Sequence, residues 1–292
     1  MEIRQTTYTL NDITLHVAEA GGKADQVVLF LHGFPEGGYA WRRQLLYFAA
    51  KGYRAVAPDQ RGYNLSSKPQ GVKAYTMEHL AADVAALIRQ LTQDKVYLVG
   101  HDWGGVVAWA VAQQYPDLLE KLVILNIPHP QVISAQLHSN PRQMLRSWYA
   151  GFFQLPWLPE RVCRAFNYKL MERSMVISAR KNTFSPNDMA CYKKVWQQPH
   201  ALTSMINWYR AYKYSKLRVT GEIRVPTLLL WGEQDTFLGS EMAQPSIARC
   251  RHGQLRFLPG ATHWLHHEVP DEVNRLLEAF ISPGGNDTGV QG

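Results

Sequence analysis

The chain has 292 residues and a formal charge of +7, long enough for one large α/β domain or one domain carrying an insertion, with a sizeable core. Its three isolated cysteines, Cys163, Cys191 and Cys250, argue for reduced thiols and against a disulfide framework or a cysteine metal site. The first ten residues are polar, unlike a signal peptide, and the longest plainly apolar run, 106–112, is too short to span a bilayer, so a soluble, cytoplasmic chain is expected.

In chain order, short β-rich runs alternate with helical ones, which predicts a mostly parallel sheet flanked by helices. Residues 7–10 and 13–18 flank Asn11-Asp12 and read as an N-terminal hairpin. The runs 27–31, 54–57, 96–99, 122–125, 227–231 and 254–258 are short and apolar, as strands buried on both faces are. Helical periodicity falls at 41–51, 77–91, 104–114 and 270–280. The alternation breaks between 127 and 225, a stretch rich in aromatic and basic residues that reads as a helical cap. The expected division is therefore a core from 1–127 and 223–281, a cap at 128–222, and a Gly-rich, disordered tail at 282–292. Residues 140–220 hold 14 Lys and Arg against Glu160, Glu172 and Asp188. A solvated face is the plain reading; attraction of anionic substrates or an anionic surface is the sharper one. No nucleic-acid motif is present.

The most informative string is Gly100-His101-Asp102-Trp103-Gly104-Gly105, between the strand ending at 99 and the helix from 104. A strand-to-helix turn with small residues around its centre is a nucleophile elbow. The glycines give room to a strained central residue, here Asp102 where hydrolases of esters carry serine. A carboxylate displaces at an alkyl carbon, opening a strained ring or expelling a halide, and becomes an ester that water must cleave. Asp also caps helices, but a cap alone does not call for the surrounding glycines.

Cleaving that ester needs an oxyanion hole, a base and an orienting acid. The run 27–31 leads into His32-Gly33-Phe34-Pro35, so the Phe34 amide, with that of Trp103, is expected to form the hole. His32 in such a loop reads as structural. The acid follows 227–231 in Gly232-Glu233-Gln234-Asp235; Asp235 is chosen, with Glu233 as competitor, and Asn126 at the alternative position has no charge to offer. The base follows 254–258, where His263 is the first histidine; His266 and His267 read as surface or packing residues.

With these motifs the chain resembles α/β-hydrolase-fold epoxide hydrolases from about residue 8 to 281. The resemblance implies an eight-stranded, mostly parallel α/β-hydrolase sheet with a helical cap, and no metal or organic cofactor. It also implies two cap tyrosines that hold the epoxide oxygen. The strings Trp148-Tyr149-Ala150-Gly151-Phe152-Phe153 and Asn207-Trp208-Tyr209-Arg210 look like their motifs and single out Tyr149 and Tyr209. Arg61-Gly62-Tyr63-Asn64 departs from the usual Arg-Gly-Tyr-Gly, and Asn tolerates the same left-handed backbone.

The implied reaction adds water to an epoxide through an ester on Asp102. Phe34, Trp103, Phe152 and Trp157 are expected to line an apolar pocket for a hydrophobic epoxide. A haloalkane or haloacid dehalogenase would use the same nucleophile. Phe34 stands where a halide-binding Asn is often found, and no Arg follows Asp102 to clamp a carboxylate. A non-catalytic binding module would usually have lost a triad member, and a serine esterase lacks its serine here. A homodimer through the cap is compatible with the sequence.

Overall fold

A computed structural model describes residues 1–22 and 26–282; the expected tail beyond Ser282 lies outside the described residues. The strands are β1 (Arg4–Thr9), β2 (Thr14–Ala20), β3 (Val27–Leu31), β4 (Arg54–Pro58), β5 (Val96–His101), β6 (Leu119–Leu125), β7 (Thr227–Gly232) and β8 (Gly253–Leu258). They form one eight-stranded sheet in the order β1-β2-β4-β3-β5-β6-β7-β8. The β1–β2 and β2–β4 pairs are antiparallel and the remaining neighbours are parallel.

Helices α1 (Arg42–Ala50), α2 (Met77–Leu91) and α3 (Trp103–Gln114) join the first strands. Between β6 and β7 come α4 (Pro130–Ser139), α5 (Pro141–Arg146), α6 (Trp148–Phe152), α7 (Leu158–Ser178), α8 (Pro186–Gln197) and α9 (Ala201–Ala211). After β7 follow α10 (Ala243–Ile247), α11 (Leu265–Glu268) and α12 (Pro270–Ile281). None of the described helices is long and apolar enough to cross a membrane.

The period of two along a strand divides the core. In β3, Val27, Leu29 and Leu31 join a cluster with Leu80, Val107 and Trp109 of α2 and α3. Val28 and Phe30 point the other way, into a cluster with Leu45 and Phe48 of α1 and Leu277 of α12. Thus β3, like β5 and β7, is buried along its whole length, as its continuous apolar run requires. The expectation of two buried faces fails for β8, which is half-exposed because it ends the sheet with β7 as its one neighbour.

Strand order turns around at β3, which lies between β4 and β5, and ligands of open parallel sheets bind at such a switch point. Register aligns the strand ends there. Leu31 of β3 pairs with Gly100 of β5, His101 of β5 with Leu125 of β6, Leu125 with Leu230 of β7, and Gly232 of β7 with Leu258 of β8. The loops that follow β3, β5, β6, β7 and β8 therefore emerge side by side. Helices α8 and α9 are tied onto this edge: the Trp196 indole donates to the Pro35 carbonyl at 2.6 Å and the Trp208 indole to the Arg61 carbonyl at 3.0 Å.

Candidate active site

Asp102 lies at the turn between β5 and α3 with φ 49° and ψ −124°, a strained conformation for a residue with a Cβ. Its neighbours make the turn possible. A Cβ on Gly100 would lie 2.6 Å from the Gly104 carbonyl oxygen, and one on Gly104 would strike the Leu31 carbonyl. The Asp102 side chain forms no helix-capping hydrogen bond. Its Oδ1 instead accepts from the Phe34 amide at 2.8 Å, across the adjoining ends of β3 and β5. Among the described contacts the Trp103 amide makes no bond to this carboxylate.

His263, in the loop after β8, places Nε2 3.7 Å from Asp102 Oδ2. Its Nδ1 lies 2.7 Å from Asp235 Oδ2. Asp235, after β7, is buried, and its Oδ1 accepts from the Phe237 and Leu238 amides at 2.8 and 2.9 Å. Burial works against a charged His263, yet the Asp235 and Asp102 carboxylates on its two sides win and raise its pKa to about 9. The imidazole is thus a cation between two anions near neutral pH.

Tyr149 on α6 and Tyr209 on α9 face this line, their rings 6.1 Å apart and edge-on. Trp103 packs on Tyr209 at 4.9 Å and Phe34 at 5.4 Å. Burial first, and the Asp102 charge second, push both phenols above their ordinary range, so both remain hydrogen-bond donors. Two cavities of about 520 and 530 Å³ meet at Asp102, Tyr149 and Tyr209. Trp103 lines the first; Phe34, Phe152 and His263 line the second.

The α/β-hydrolase fold family matches residues 26–270. The chain is 43% identical over 272 residues to the AB hydrolase superfamily protein YfhM of Bacillus subtilis, covering 93% of this chain and 95% of that one. It is 37% identical over 276 residues to Epoxide hydrolase 4 of Homo sapiens, covering 92% and 76%. A crystal structure of the Bacillus megaterium epoxide hydrolase in complex with an inhibitor superposes with a TM-score of 0.86 at 29% identity, covering 94% of this chain and 99% of that one. The chain belongs to the epoxide hydrolases of the α/β-hydrolase fold.

One residue expected in the pocket of this epoxide hydrolase family member is elsewhere. Trp157 is 62% exposed and lines neither cavity. It takes a left-handed conformation before α7, and Arg161 rests over its ring at 5.6 Å, so it faces out. Conversely, Asn126 is part of the site's framework. It follows β6 with φ 46°, donates from Nδ2 to Asp235 Oδ2 at 2.8 Å and to the Thr262 carbonyl at 2.9 Å, and accepts from the Gly232 amide at 2.7 Å. Its two amide hydrogens beside one acceptor, which an ionised acid lacks, are what suit it to hold both loops. His32 is structural: it is buried, and its Nε2 accepts from the Gln60 amide at 3.1 Å.

His266 and His267 are not surface residues. Both are buried on α11 against Glu36, which is itself fully buried. Glu36 Oε1 accepts from Tyr192 at 3.0 Å and lies 2.7 Å from His267 Nε2. Glu36, His266 and His267 present ligand atoms within 4.8 Å of one another, the one grouping of metal-binding type among the described residues. His101 links this cluster to the base. Its Nε2 lies 2.8 Å from the His263 carbonyl, which only accepts, so Nε2 is the donor. Its Nδ1 then faces Glu36 Oε2 at 3.3 Å.

Proposed function

We propose that the chain adds water to a hydrophobic epoxide to give a vicinal diol, through a hydroxyalkyl ester on Asp102 that is cleaved by water with His263 as base and Asp235 as its orienting acid. The supporting observation is the convergence of Asp102, His263 and two un-ionised phenols on one pair of joined apolar cavities. Helices α4–α9 form the cap of this reading, with the core on either side of them in the chain.

Tyr149 and Tyr209 hold the epoxide oxygen. Asp102 Oδ2, the oxygen not bound by Phe34, attacks a ring carbon as the C–O bond breaks, and one phenol gives its proton to the departing oxygen. Loss of the Asp102 charge weakens the hold on the His263 proton, which returns through solvent to the phenolate. Neutral His263, oriented by Asp235, then takes a proton from water as the hydroxyl adds to the ester carbon. The oxyanion forms at Oδ1, where the Phe34 amide already donates, and such a donor is worth about 3 kcal/mol. Collapse expels the diol alkoxide, which takes the remaining acid proton. The carboxylate and the imidazolium are restored.

The test is His263→Gln mixed with an excess of an aryl epoxide and followed by intact mass. Gain of one substrate mass, mapped to the peptide holding Asp102, supports the reading. Full diol turnover by this variant would overturn it.

A further inference from the structure

The segment from α5 through α7, its α6–α7 loop included, carries most of the large apolar side chains that the described residues leave exposed. Leu145 and Trp148 protrude at the junction of α5 and α6, and Trp157, Phe166, Leu170 and Ile177 follow along the loop and α7. Phe166 is 83% exposed. Leu145, Trp148 and Leu170 line one cavity together, and grouped apolar exposure of this kind marks an interaction surface. Within α7 the backbone leaves helical geometry at residues 165–168, and Phe166 sits on that break with φ 50°; beyond it Met171 and Met175 are buried, which turns Leu170, Arg173, Ser174 and Ile177 outward.

This surface is also cationic. Residues 140–220 hold the chain's whole positive excess, and six of their 14 Lys and Arg lie at 141–178 among the exposed apolar side chains. Its acids are already neutralised: Glu160 pairs with Arg210 at 2.6 Å, Glu172 with Lys169 at 3.1 Å, and Asp188 with Arg42 at 2.6 Å. Arg142, Arg164 and Arg173 are exposed and have no acidic partner among the described residues. Two copies of the same face would bring cations against cations, which disfavours a second chain as the occupant. Exposed tryptophans and aliphatics flanked by arginines fit a lipid surface of negative charge.

The surface is continuous with a mouth of the active-site cavity. Leu145, Arg146, Trp148, Leu170 and Ser174 all line the second cavity, whose other end is at Asp102 and His263. We propose that this face docks peripherally on anionic phospholipid membranes, with the mouth of the cavity turned to the lipid. An apolar substrate dissolved in the bilayer then reaches Asp102 without crossing water. The binding step involves none of the catalytic residues, so it stands or fails apart from the proposed reaction.

The experiment is flotation of the full chain with vesicles of phosphatidylcholine, alone or with a third phosphatidylglycerol. Binding to the anionic vesicles, weakened by salt, is expected. In Arg164→Glu/Arg173→Glu it falls by about tenfold or more, and Phe166→Ser/Ile177→Asp loses it as well. Both variants should keep the wild-type melting temperature and turnover of a water-soluble epoxide. No binding to either vesicle, or binding that neither variant alters, overturns the proposal. So does a salt-resistant dimer that the same substitutions dissociate, or capture by nucleic acid in preference to the anionic vesicles.

Discussion

The charge on His263 is the most direct electrostatic consequence of the geometry. Asp102→Asn keeps the shape of the nucleophile and removes its charge, as formation of the ester would. At the observed 3.7 Å separation, one unit charge is worth about 1.1 kcal/mol in a water-like dielectric and about 4.5 kcal/mol at an effective dielectric of 20. Those limits correspond to a fall of roughly 1 to 3 pH units from the value of about 9 in the free protein. The assay is an NMR titration of the His263 ring in protein labelled at histidine. A lowered value in Asp102→Asn means that alkylation itself converts an imidazolium into a base. An unchanged or raised value would refute the idea that the nucleophile's charge sets the protonation state, and with it the proton cycle proposed above.

Tyr149→Phe and Tyr209→Phe should each slow epoxide consumption about 10- to 100-fold in pre-steady-state mixing, and the double variant further, as loss of a general acid predicts; wild-type rates in the double variant would remove the phenols from the mechanism. Because the folded pKa of His263 is raised, its ion pairs stabilise the fold fully below its unfolded value near 6.5, and that stability is lost as pH rises through about 9. Urea midpoints of wild type minus those of His263→Gln should therefore shrink between pH 6.5 and 9.5. Asn126→Ala leaves Asp235 without one donor and the Gly232 amide unpaired, and should cost about 1–3 kcal/mol in denaturant unfolding. Gly104→Ala drives a methyl into the Leu31 carbonyl and should cost a similar amount, about 1–3 kcal/mol.

Much of this fold is legible in the sequence because its signals are local. The runs 27–31, 96–99 and 227–231 are apolar without alternation, which only a strand covered on both faces tolerates, and they became β3, β5 and β7. The glycine-rich elbow marked Asp102, position after a strand rather than residue type marked Asp235 and His263, and the neighbouring ends of β5 to β8 bring the three within one line. What depends on contacts between distant segments was not legible. His266 and His267 sit on a short helix with no periodicity to betray a buried face, and their partner Glu36 is more than 200 residues away. Trp157 and Phe152 are equally aromatic in sequence, and the left-handed turn at Trp157 alone sends it to solvent. Asn126 looked like a missing acid because its value lies in two amide hydrogens, which only the folded loops reveal.

Covalent attachment of Asp102 to substrate is the central step of the proposed reaction. A single turnover in ¹⁸O-labelled water, with enzyme in excess over an aryl epoxide, tests this most directly. Unlabelled oxygen in the diol, with the label recovered in the peptide that contains Asp102, is the predicted result. Label passing straight from water into the diol would contradict it and leave Asp102 a base for water instead of a nucleophile.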